Sequence, residues 1–289
     1  MRPYQWPKNV LVFAALVFSA GNSWKPSDAD TWWPLLWRTS FLFAFWCLAA
    51  SATYLFNDVR DREADSVHPR KRLRPIASGL VPVSTAVTMA VALAVIGIFG
   101  AFLLDPLAGL VVAGYVGVMV AYSAGLKRVA IVDILILCGG VVARAVAGAV
   151  TIDVEISPWL YVCSSFAAFF FASSKRWAEY RQLGAEALVH RPSLAQYGGE
   201  LLNQLVTISA AAALLSYAMY TIESDNVPTS GSMALTLPFV AFSMFRYLQL
   251  LGGERKTDAP DQIVFTDPQI VLAVIGFAAT ALTVLLLDR

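Results

Sequence analysis

Nine apolar stretches alternate with short polar segments along the chain. A helix that crosses a bilayer needs about 20 mostly apolar residues, and most of these stretches are close to that length. They lie at about 9–22, 36–56, 84–104, 107–124, 130–151, 158–174, 201–221, 231–250 and 268–287. The pattern therefore predicts an all-α, polytopic membrane protein, with nine transmembrane helices in a single transmembrane domain, 1–289.

The composition agrees with this pattern and excludes several kinds of site. Hydrophobic residues make up 58% of the 289 residues and charged residues only 14%, whereas a soluble domain carries about 25% charged residues. Cys47, Cys138 and Cys163 lie far apart in apolar runs, and the chain has only two histidines. We therefore expect no disulfide framework, no histidine-built zinc or iron site and no nucleic-acid partner.

The positions of lysine and arginine predict how the chain is oriented. With the N-terminus in the cytoplasm, most of the 21 Lys and Arg residues fall in cytoplasmic segments, as the positive-inside rule requires. Two cytoplasmic segments are long, 57–83 and 175–200, and each follows an even-numbered span. We expect both to be active-site loops of a multi-pass protein of the inner (cytoplasmic) membrane.

The first of these loops opens with a ladder of acidic residues. Asp58, Asp61 and Asp65 are spaced i, i+3 and i+7, so a helix that continues from the second span would place them on one face, beside Asn57. Like charges on one face repel each other. A hard divalent cation offsets that repulsion, because it prefers oxygen ligands. The four residues are therefore predicted to bind Mg²⁺, with Mn²⁺ as an alternative, against a pyrophosphate group.

Basic residues follow the acids at Arg70, Lys71, Arg72 and Arg74. Carboxylates suit the metal and guanidinium groups suit free phosphate oxygens, so this mixture fits a metal-bound polyphosphate. Two simpler interpretations stay open. The acids could form salt bridges with Arg60 and Arg62 at a solvated helix end, and the bases could act only as topology signals or lipid headgroup contacts.

These residues carry a resemblance to a known family. The pattern Asn57-Asp58-x-x-Asp61-x-x-x-Asp65, followed by His68-Pro69-x-Lys71-x-x-Arg74-Pro75-Ile76-Ala77-Ser78-Gly79, resembles the first signature of the UbiA superfamily of intramembrane prenyltransferases. The resemblance implies nine helices around a central cavity, a magnesium ion, a diphosphate substrate and a side opening toward lipid.

The second loop departs from that family, whose members usually carry a second D-x-x-x-D motif there. This chain reads Ser173-Ser174-Lys175-Arg176-Trp177-Ala178-Glu179, so two cations stand where an aspartate is expected. Such a site suits an anion that binds directly, and a basic topology signal is the alternative. The departure resembles a narrower group, the decaprenyl-phosphate phosphoribosyltransferases of cell wall biosynthesis. Similar stretches are Arg2-Pro3-x-Gln5-Trp6-x-Lys8-Asn9, Arg191-x-Ser193-Leu194-x-x-Tyr197 and Arg246-Tyr247.

The narrower resemblance implies a reaction and a set of site residues. The 5-phosphoribosyl group would move from phosphoribosyl pyrophosphate to a polyprenyl phosphate, with release of pyrophosphate. Asp58, Asp61, Lys175 and Arg176 are then the catalytic candidates. Further substrate-binding candidates lie at span ends, in the charged loops or within a span: Lys8, Asn9, Tyr54, Lys71, Arg74, Tyr122, Lys127, Arg144, Glu179 and Arg246.

Several alternatives remain at this stage. Arg144 lies mid-span, where a charged residue is a functional candidate, but an ion pair with Asp133 would also explain it. The tyrosines could be interfacial anchors. The second functional hypothesis is a prenyltransferase that joins a prenyl diphosphate to an aromatic or other small acceptor, and a transporter without chemistry is the third. A homo-oligomer stays open.

Overall fold

The computed structural model describes residues 3–20, 23–25, 27–67, 71–155, 158–183, 194, 196–224, 227–253 and 263–287. Some residues of the motifs quoted above lie outside this part of the chain: Arg2, His68, Pro69, Arg70, Arg191 and Ser193. The described residues are almost entirely helical. Their one extended pairing is an isolated bridge between Ala20 and Trp24.

The α-helices are numbered here in chain order. They are α1 (Ala14–Phe18), α2 (Ala29–Arg60), α3 (Arg62–Val67), α4 (Val83–Leu104), α5 (Pro106–Ala124), α6 (Val132–Thr151), α7 (Pro158–Leu183), α8 (Gly199–Glu223), α9 (Leu237–Gly252), α10 (Ile263–Thr266) and α11 (Pro268–Leu287). Short 3₁₀ segments occupy Pro3–Phe13, Lys71–Leu73, Leu126–Arg128 and Ser232–Thr236.

Seven helices in the described part of the chain are long and apolar enough to cross a membrane, so the all-α, multi-pass prediction is confirmed. The predicted count of nine is not. The stretch at 9–22 becomes a 3₁₀ helix that ends at Phe13, followed by the five-residue α1. The stretch at 158–174 lies in α7, which has 26 residues but carries serines and ends in charged residues.

The helices group into two compact units. The first consists of Met1–Phe18, Pro26–Lys127 and Ala143–Glu155. Its buried core includes Val12, Leu42, Trp46, Ala49, Val112, Tyr115 and Ala147. Gly148 of α6 lies against the N-terminal 3₁₀ helix so closely that a Cβ there would be 2.0 Å from the Val12 carbonyl oxygen. Only glycine permits this approach, which fixes the N-terminal segment against α6.

The second unit consists of Ser19–Lys25, Arg128–Val142 and Ile156–Arg289. Here α7 packs along α8, and its buried side chains contribute to two apolar clusters. One contains Phe170, Ala178, Val206, Tyr247 and Ile270. The other contains Ile134, Ala168, Leu194, Tyr197 and Leu202. That the whole chain, 1–289, acts as one catalytic domain stays a prediction.

Candidate active site

The acid ladder lies where α2 gives way to α3. The expected continuous helix is interrupted, because α2 ends at Arg60 and α3 begins at Arg62. The Asp61 amide still donates to the Asn57 carbonyl at 2.9 Å, and the Asp65 amide donates to the Asp61 carbonyl at 2.8 Å. The helical spacing therefore continues through the break, and the three carboxylates keep their i, i+3, i+7 relation.

Two basic side chains each form hydrogen bonds to two residues of this acidic segment. Arg74 Nη1 donates to Asp58 Oδ1 at 3.2 Å and to Asp65 Oδ2 at 2.5 Å. Lys127 Nζ donates to Asp61 Oδ1 at 2.5 Å and to Asn57 Oδ1 at 3.3 Å. The structure thus brings together six residues that the sequence had marked as candidates: Asn57, Asp58, Asp61, Asp65, Arg74 and Lys127.

The chemistry of these donors fits a hard divalent cation, but their arrangement is not that of a formed metal site. Within the described residues, no three His, Cys, Asp or Glu side chains gather where they could hold one metal ion. Arg74 and Lys127 each bridge two oxygen donors, as a metal ion would. A metal that bound the same carboxylate oxygens would displace these two cations from their contacts.

A second polar cluster of the first unit surrounds Arg144 inside the helical core. Arg144 is 8% exposed, and its Nε donates to Asn9 Oδ1 at 2.8 Å. Its guanidinium carbon lies 5.7 Å from the centre of the Trp46 ring and 5.3 Å from that of Tyr115, which is within cation–π range. Asn9 Nδ2 also donates to Cys47 Sγ at 3.2 Å.

The cluster unites two predicted candidates, Asn9 and Arg144, with aromatic residues that the sequence did not single out. Trp46 and Tyr115 lie in apolar spans, where no local pattern separates a ligand-facing ring from an ordinary core ring. The other candidates of this unit are dispersed. Lys8 and Lys71 are exposed, Tyr54 is half-buried and Tyr122 is buried. Their binding roles stay predictions.

In the second unit, Arg176 is the centre of a buried ionic network. Its Nε donates to Asp133 Oδ2 at 2.8 Å and its Nη1 to Glu179 Oε2 at 3.1 Å. The side chain of Arg176 is 2% exposed and that of Asp133 is fully buried. Asp133, the possible partner of Arg144 considered above, thus binds Arg176. Lys175, the neighbouring cation, has an exposed side chain.

Tyr197 completes this network. Its hydroxyl donates to Asp133 Oδ1 at 2.7 Å and accepts a hydrogen bond from the Ile131 amide. Burial raises the pKa of Tyr197, and the bond to the Asp133 carboxylate raises it further. The hydroxyl therefore stays protonated and keeps its role as donor. Sequence reasoning quoted Tyr197 only as part of a motif and gave it no role.

Residues 10–275 match the model of the UbiA prenyltransferase family. This chain belongs to the UbiA prenyltransferase family. It is 36% identical over 280 residues to the decaprenyl-phosphate phosphoribosyltransferase of Mycobacterium tuberculosis (strain ATCC 25618 / H37Rv), covering 97% of this chain and 91% of that protein. It is 38% identical over 288 residues to the protein of the same name from Mycolicibacterium smegmatis, covering 97% and 89% of the two chains.

Solved structures of UbiA homologues share this fold. A homologue from Archaeoglobus fulgidus bound to DMAPP and Mg²⁺ superimposes with a TM-score of 0.70 at 18% identity, covering 99% of this chain and 97% of the other. The apo homologue from Aeropyrum pernix K1 superimposes with a TM-score of 0.64 at 16% identity, covering 96% and 98% of the two chains. The UbiA-like fold implied by the sequence is therefore confirmed.

One remaining candidate of this UbiA chain, Arg246, has a structural partner. Its Nη2 donates to Asp267 Oδ2 at 3.0 Å, and its Nη1 donates to Gln249 Oε1 at 2.9 Å. Asp267 Oδ1 accepts from the amides of Gln269 and Ile270, which begin α11. The hydrogen bond from Arg246 lowers the pKa of Asp267; burial opposes this shift, and the amide bonds from Ile270 and Gln269 add to it. Arg246 therefore tethers the start of α11, and its substrate-binding role stays a prediction.

Proposed function

We propose that this protein transfers a 5-phosphoribosyl group from phosphoribosyl pyrophosphate to a polyprenyl phosphate and releases pyrophosphate. One observation carries the proposal: the acid ladder of the first loop is present, whereas the second loop has Lys175 and Arg176 in place of a second acid pair. The relatives named decaprenyl-phosphate phosphoribosyltransferases, which match 97% of the chain, support this choice of substrates. We extend the proposal to a role in cell wall biosynthesis, which the resemblance of the second loop implies.

The acid ladder is the proposed site of a divalent metal. Asn57, Asp58, Asp61 and Asp65 would hold Mg²⁺, with Mn²⁺ as an alternative. The A. fulgidus homologues solved with Mg²⁺ and with Cd²⁺ support a divalent ion. When bound, such an ion neutralises negative charge on the pyrophosphate and makes it a better leaving group.

Arg74 and Lys127 would then change partners. In the structure they neutralise the carboxylates that a metal would take over. Released from those contacts, a guanidinium and an ammonium group are the side chains that bind phosphate oxygens best. We infer that both move from the acids to the pyrophosphate when the donor substrate binds.

The chemical step is a substitution at C1 of the ribose. A phosphate oxygen of the lipid forms a bond to C1, and the bond from C1 to the pyrophosphate oxygen breaks, so that pyrophosphate leaves with the electron pair. The lipid phosphate is already an anion, so no general base is needed. Arg74 and Lys127 would stabilise the charge that develops on the leaving group, and positioning of the two substrates lowers much of the remaining barrier.

We assign the binding of the phosphate groups other than the pyrophosphate to cations outside the ladder. Lys175 has an exposed side chain, and Arg144 is a charged residue within a span. We propose that these residues bind the acceptor phosphate or the ribose 5-phosphate. The geometry does not favour direct binding by Arg176, since two carboxylates already bind its guanidinium and its side chain is 2% exposed. Its catalytic role stays a prediction.

A prenyltransferase acting on an aromatic or other small acceptor is the second candidate. The observations that favour it are the A. fulgidus structures with GPP or DMAPP and Mg²⁺ and a 30% identity over 220 residues to a protoheme IX farnesyltransferase from Pyrobaculum neutrophilum. That relative covers only 71% of this chain. The absence of a second acid pair in the second loop argues against the prenyltransferase function.

A labelling experiment decides between the two functions. Purified protein in detergent is incubated with decaprenyl phosphate and ribose-labelled phosphoribosyl pyrophosphate, or with a labelled prenyl diphosphate and 4-hydroxybenzoate. We expect ribose label in the lipid fraction, with the transfer stopped by chelator and restored by excess Mg²⁺. Transfer of only the prenyl label would support the second candidate instead, and full activity in chelator would overturn the metal site.

The proposed location is the inner (cytoplasmic) membrane, with the N-terminus and both charged loops in the cytoplasm. Ser27 and Ser66 are both exposed and lie on opposite sides of α2 in the chain. In a variant without native cysteines, Ser27→Cys should react with an impermeant maleimide added to spheroplasts. Ser66→Cys should react only after the membrane is permeabilised; the reverse pattern would invert the orientation.

A further inference from the structure

In the second unit, a chain of hydrogen bonds connects Arg176 of α7 to the turn that precedes α6. From Arg176 it passes through Asp133 to the Tyr197 hydroxyl and on to the backbone amide of Ile131. Gln196 adds two bonds to the same turn. Its Oε1 accepts from the Ala130 amide at 3.2 Å, and its Nε2 donates to the Arg128 carbonyl at 3.2 Å.

The result is a latch that joins three segments of the chain: 128–133, α7 at Arg176, and 196–197. The latch residues are Arg176, Asp133, Tyr197 and Gln196, and the turn that they grip is 128–131. Tyr197 is 3% exposed and Asp133 is fully buried. Gln196 is exposed, but each lost bond among the buried Arg176, Asp133 and Tyr197 would leave a polar group without water, so this part of the latch is costly to open.

The gripped turn is held in a strained conformation. Ile131 has a φ of 68°, in the left-handed region where a β-branched residue is rarely found. Such a residue persists only when the surrounding structure determines its conformation, and strain of this kind clusters at functional sites. The Ile131 carbonyl accepts from the amides of Ile134 and Leu135. The bond from its amide to Tyr197 and the flanking bonds of Gln196 add contacts from a distant segment.

We propose that Arg176, Asp133 and Tyr197 are positioning residues, which set the last turns of α7 so that the neighbouring Lys175 is presented in one fixed orientation. This inference rests on the proposed function, because it assigns Lys175 the contact with a substrate phosphate. Arg176 itself does not touch substrate. Its charge serves to hold Asp133, and Asp133 in turn holds Tyr197.

The two roles for Arg176 predict opposite behaviour in a pair of amide variants. In Arg176→Gln the new side-chain amide nitrogen follows Cδ, as Nε of Arg176 does, so it can donate at the same point toward residue 133. In Asp133→Asn the amide oxygen can accept from that donor, while the amide nitrogen can donate to the Tyr197 hydroxyl, which reverses the direction of that bond. The double variant therefore keeps both contacts of residue 133 without leaving a buried charge at residues 133 and 176 unpaired.

The test measures kcat and KM of phosphoribosyl transfer for both substrates, together with the melting temperature, in the single and double variants. For positioning, we expect each single variant to lose about 100-fold in kcat with KM values within about threefold of wild type. The double variant should recover to within about tenfold of wild type, because the two substitutions are coupled.

Direct phosphate binding by Arg176 would give a different pattern. Asp133→Asn would then keep normal activity or bind substrate more tightly, and the double variant would be as impaired as Arg176→Gln, with the defect in KM. Either result would overturn the positioning role.

Tyr197→Phe provides a milder probe in case a single charge variant fails to fold. We expect about a tenfold loss in kcat with unchanged KM values. Tyr217→Phe is the matched control: its buried hydroxyl also has a hydrogen bond, to Thr236 Oγ1 at 2.5 Å, but no part in the latch. Equal kcat losses in both tyrosine variants would show a general packing effect and overturn the inference.

Failure of the proposed function can be told apart from failure of the latch. If wild-type protein does not transfer the ribose label, the proposed function is wrong. The melting temperatures still test the latch, because the double variant should be more stable than either single variant. Additive losses in melting temperature would contradict the latch whatever the reaction is.

Discussion

The acid ladder and the latch are built from the same residue types but differ in burial. In the ladder, Asp58 and Asp61 are 14% and 29% exposed, and the cations that bridge them are 29% and 20% exposed. In the latch, Asp133 and Arg176 are 0% and 2% exposed. The third ladder carboxylate, Asp65, is only 5% exposed. Water can stabilise the charges of Asp58 and Asp61 while their contacts are exchanged, whereas separating the latch charges would leave them desolvated. Neighbouring acids and bases therefore suit ligand exchange in the partly exposed ladder and rigid positioning in the buried latch.

The largest effect should come from reversing the charge inside the latch. Arg176→Asp would place a third carboxylate beside Asp133 and Glu179 in a buried site, where an unpaired charge costs several kcal/mol. We expect little folded protein and no measurable transfer, with a milder defect in Arg176→Ala. Size-exclusion chromatography and the transfer assay test this order. Near-normal activity of Arg176→Asp would show that the buried pair is dispensable.

The next largest effect is expected in the ladder, without a loss of fold. Asp58→Ala and Asp61→Ala should each reduce transfer by more than about 100-fold, because each removes a proposed metal ligand. Their melting temperatures should stay near that of wild type, since both carboxylates are partly exposed. Glu63→Ala is the matched control: it is an exposed acid of the same segment outside the ladder, and it should keep wild-type activity. If Glu63→Ala were as inactive as the two ladder variants, general negative charge would explain the result better than a metal site.

A smaller effect is expected at Lys175. Removing one charge-assisted contact with a phosphate costs on the order of 2 kcal/mol, which corresponds to roughly a thirtyfold drop in kcat/KM. The melting temperature should not change, because the Lys175 side chain is exposed. Steady-state kinetics of Lys175→Ala with each substrate varied in turn would show which phosphate is affected. Wild-type kinetics would mean that Lys175 is only a topology signal.

The smallest effect concerns Asp267, whose pKa is lowered chiefly by the hydrogen bond from Arg246. A carboxylate with a lowered pKa in the folded state stabilises the protein above its ordinary pKa of about 4, and this contribution is lost as the pH falls through the folded-state value. Asp267→Asn should therefore melt slightly below wild type at neutral pH. The difference should shrink as the pH falls below about 4. A constant difference across this range would contradict the role of the charge.

The sequence predicted the fold class well, because lipid imposes a strong length and polarity requirement on every span. Its count of nine spans is not confirmed, because the first stretch forms a 3₁₀ helix up to Phe13 and the sixth lies in a helix, α7, that continues to Leu183. The i, i+3, i+7 spacing identified the ladder because helical neighbours are local in sequence.

The sequence named Lys127 as a candidate but did not predict its contact with Asp61, and it gave Tyr197 no role, because both contacts join distant residues. Lys127 lies 66 residues from Asp61, and Tyr197 lies 64 residues from Asp133. A local pattern contains no information about such pairs. Arg176 and Lys175 also look alike in the sequence, which does not show that Arg176 is buried and Lys175 is exposed.

Equilibrium binding of labelled phosphoribosyl pyrophosphate tests the division between ladder and latch most directly. The measurement uses purified wild type, Asp61→Ala and the double variant Asp133→Asn with Arg176→Gln, each with Mg²⁺ and with chelator. We predict tight binding that requires Mg²⁺ in wild type and in the double variant, and a loss of binding in Asp61→Ala. Mg²⁺-independent binding, or binding that survives in Asp61→Ala but is lost in the double variant, would contradict the account.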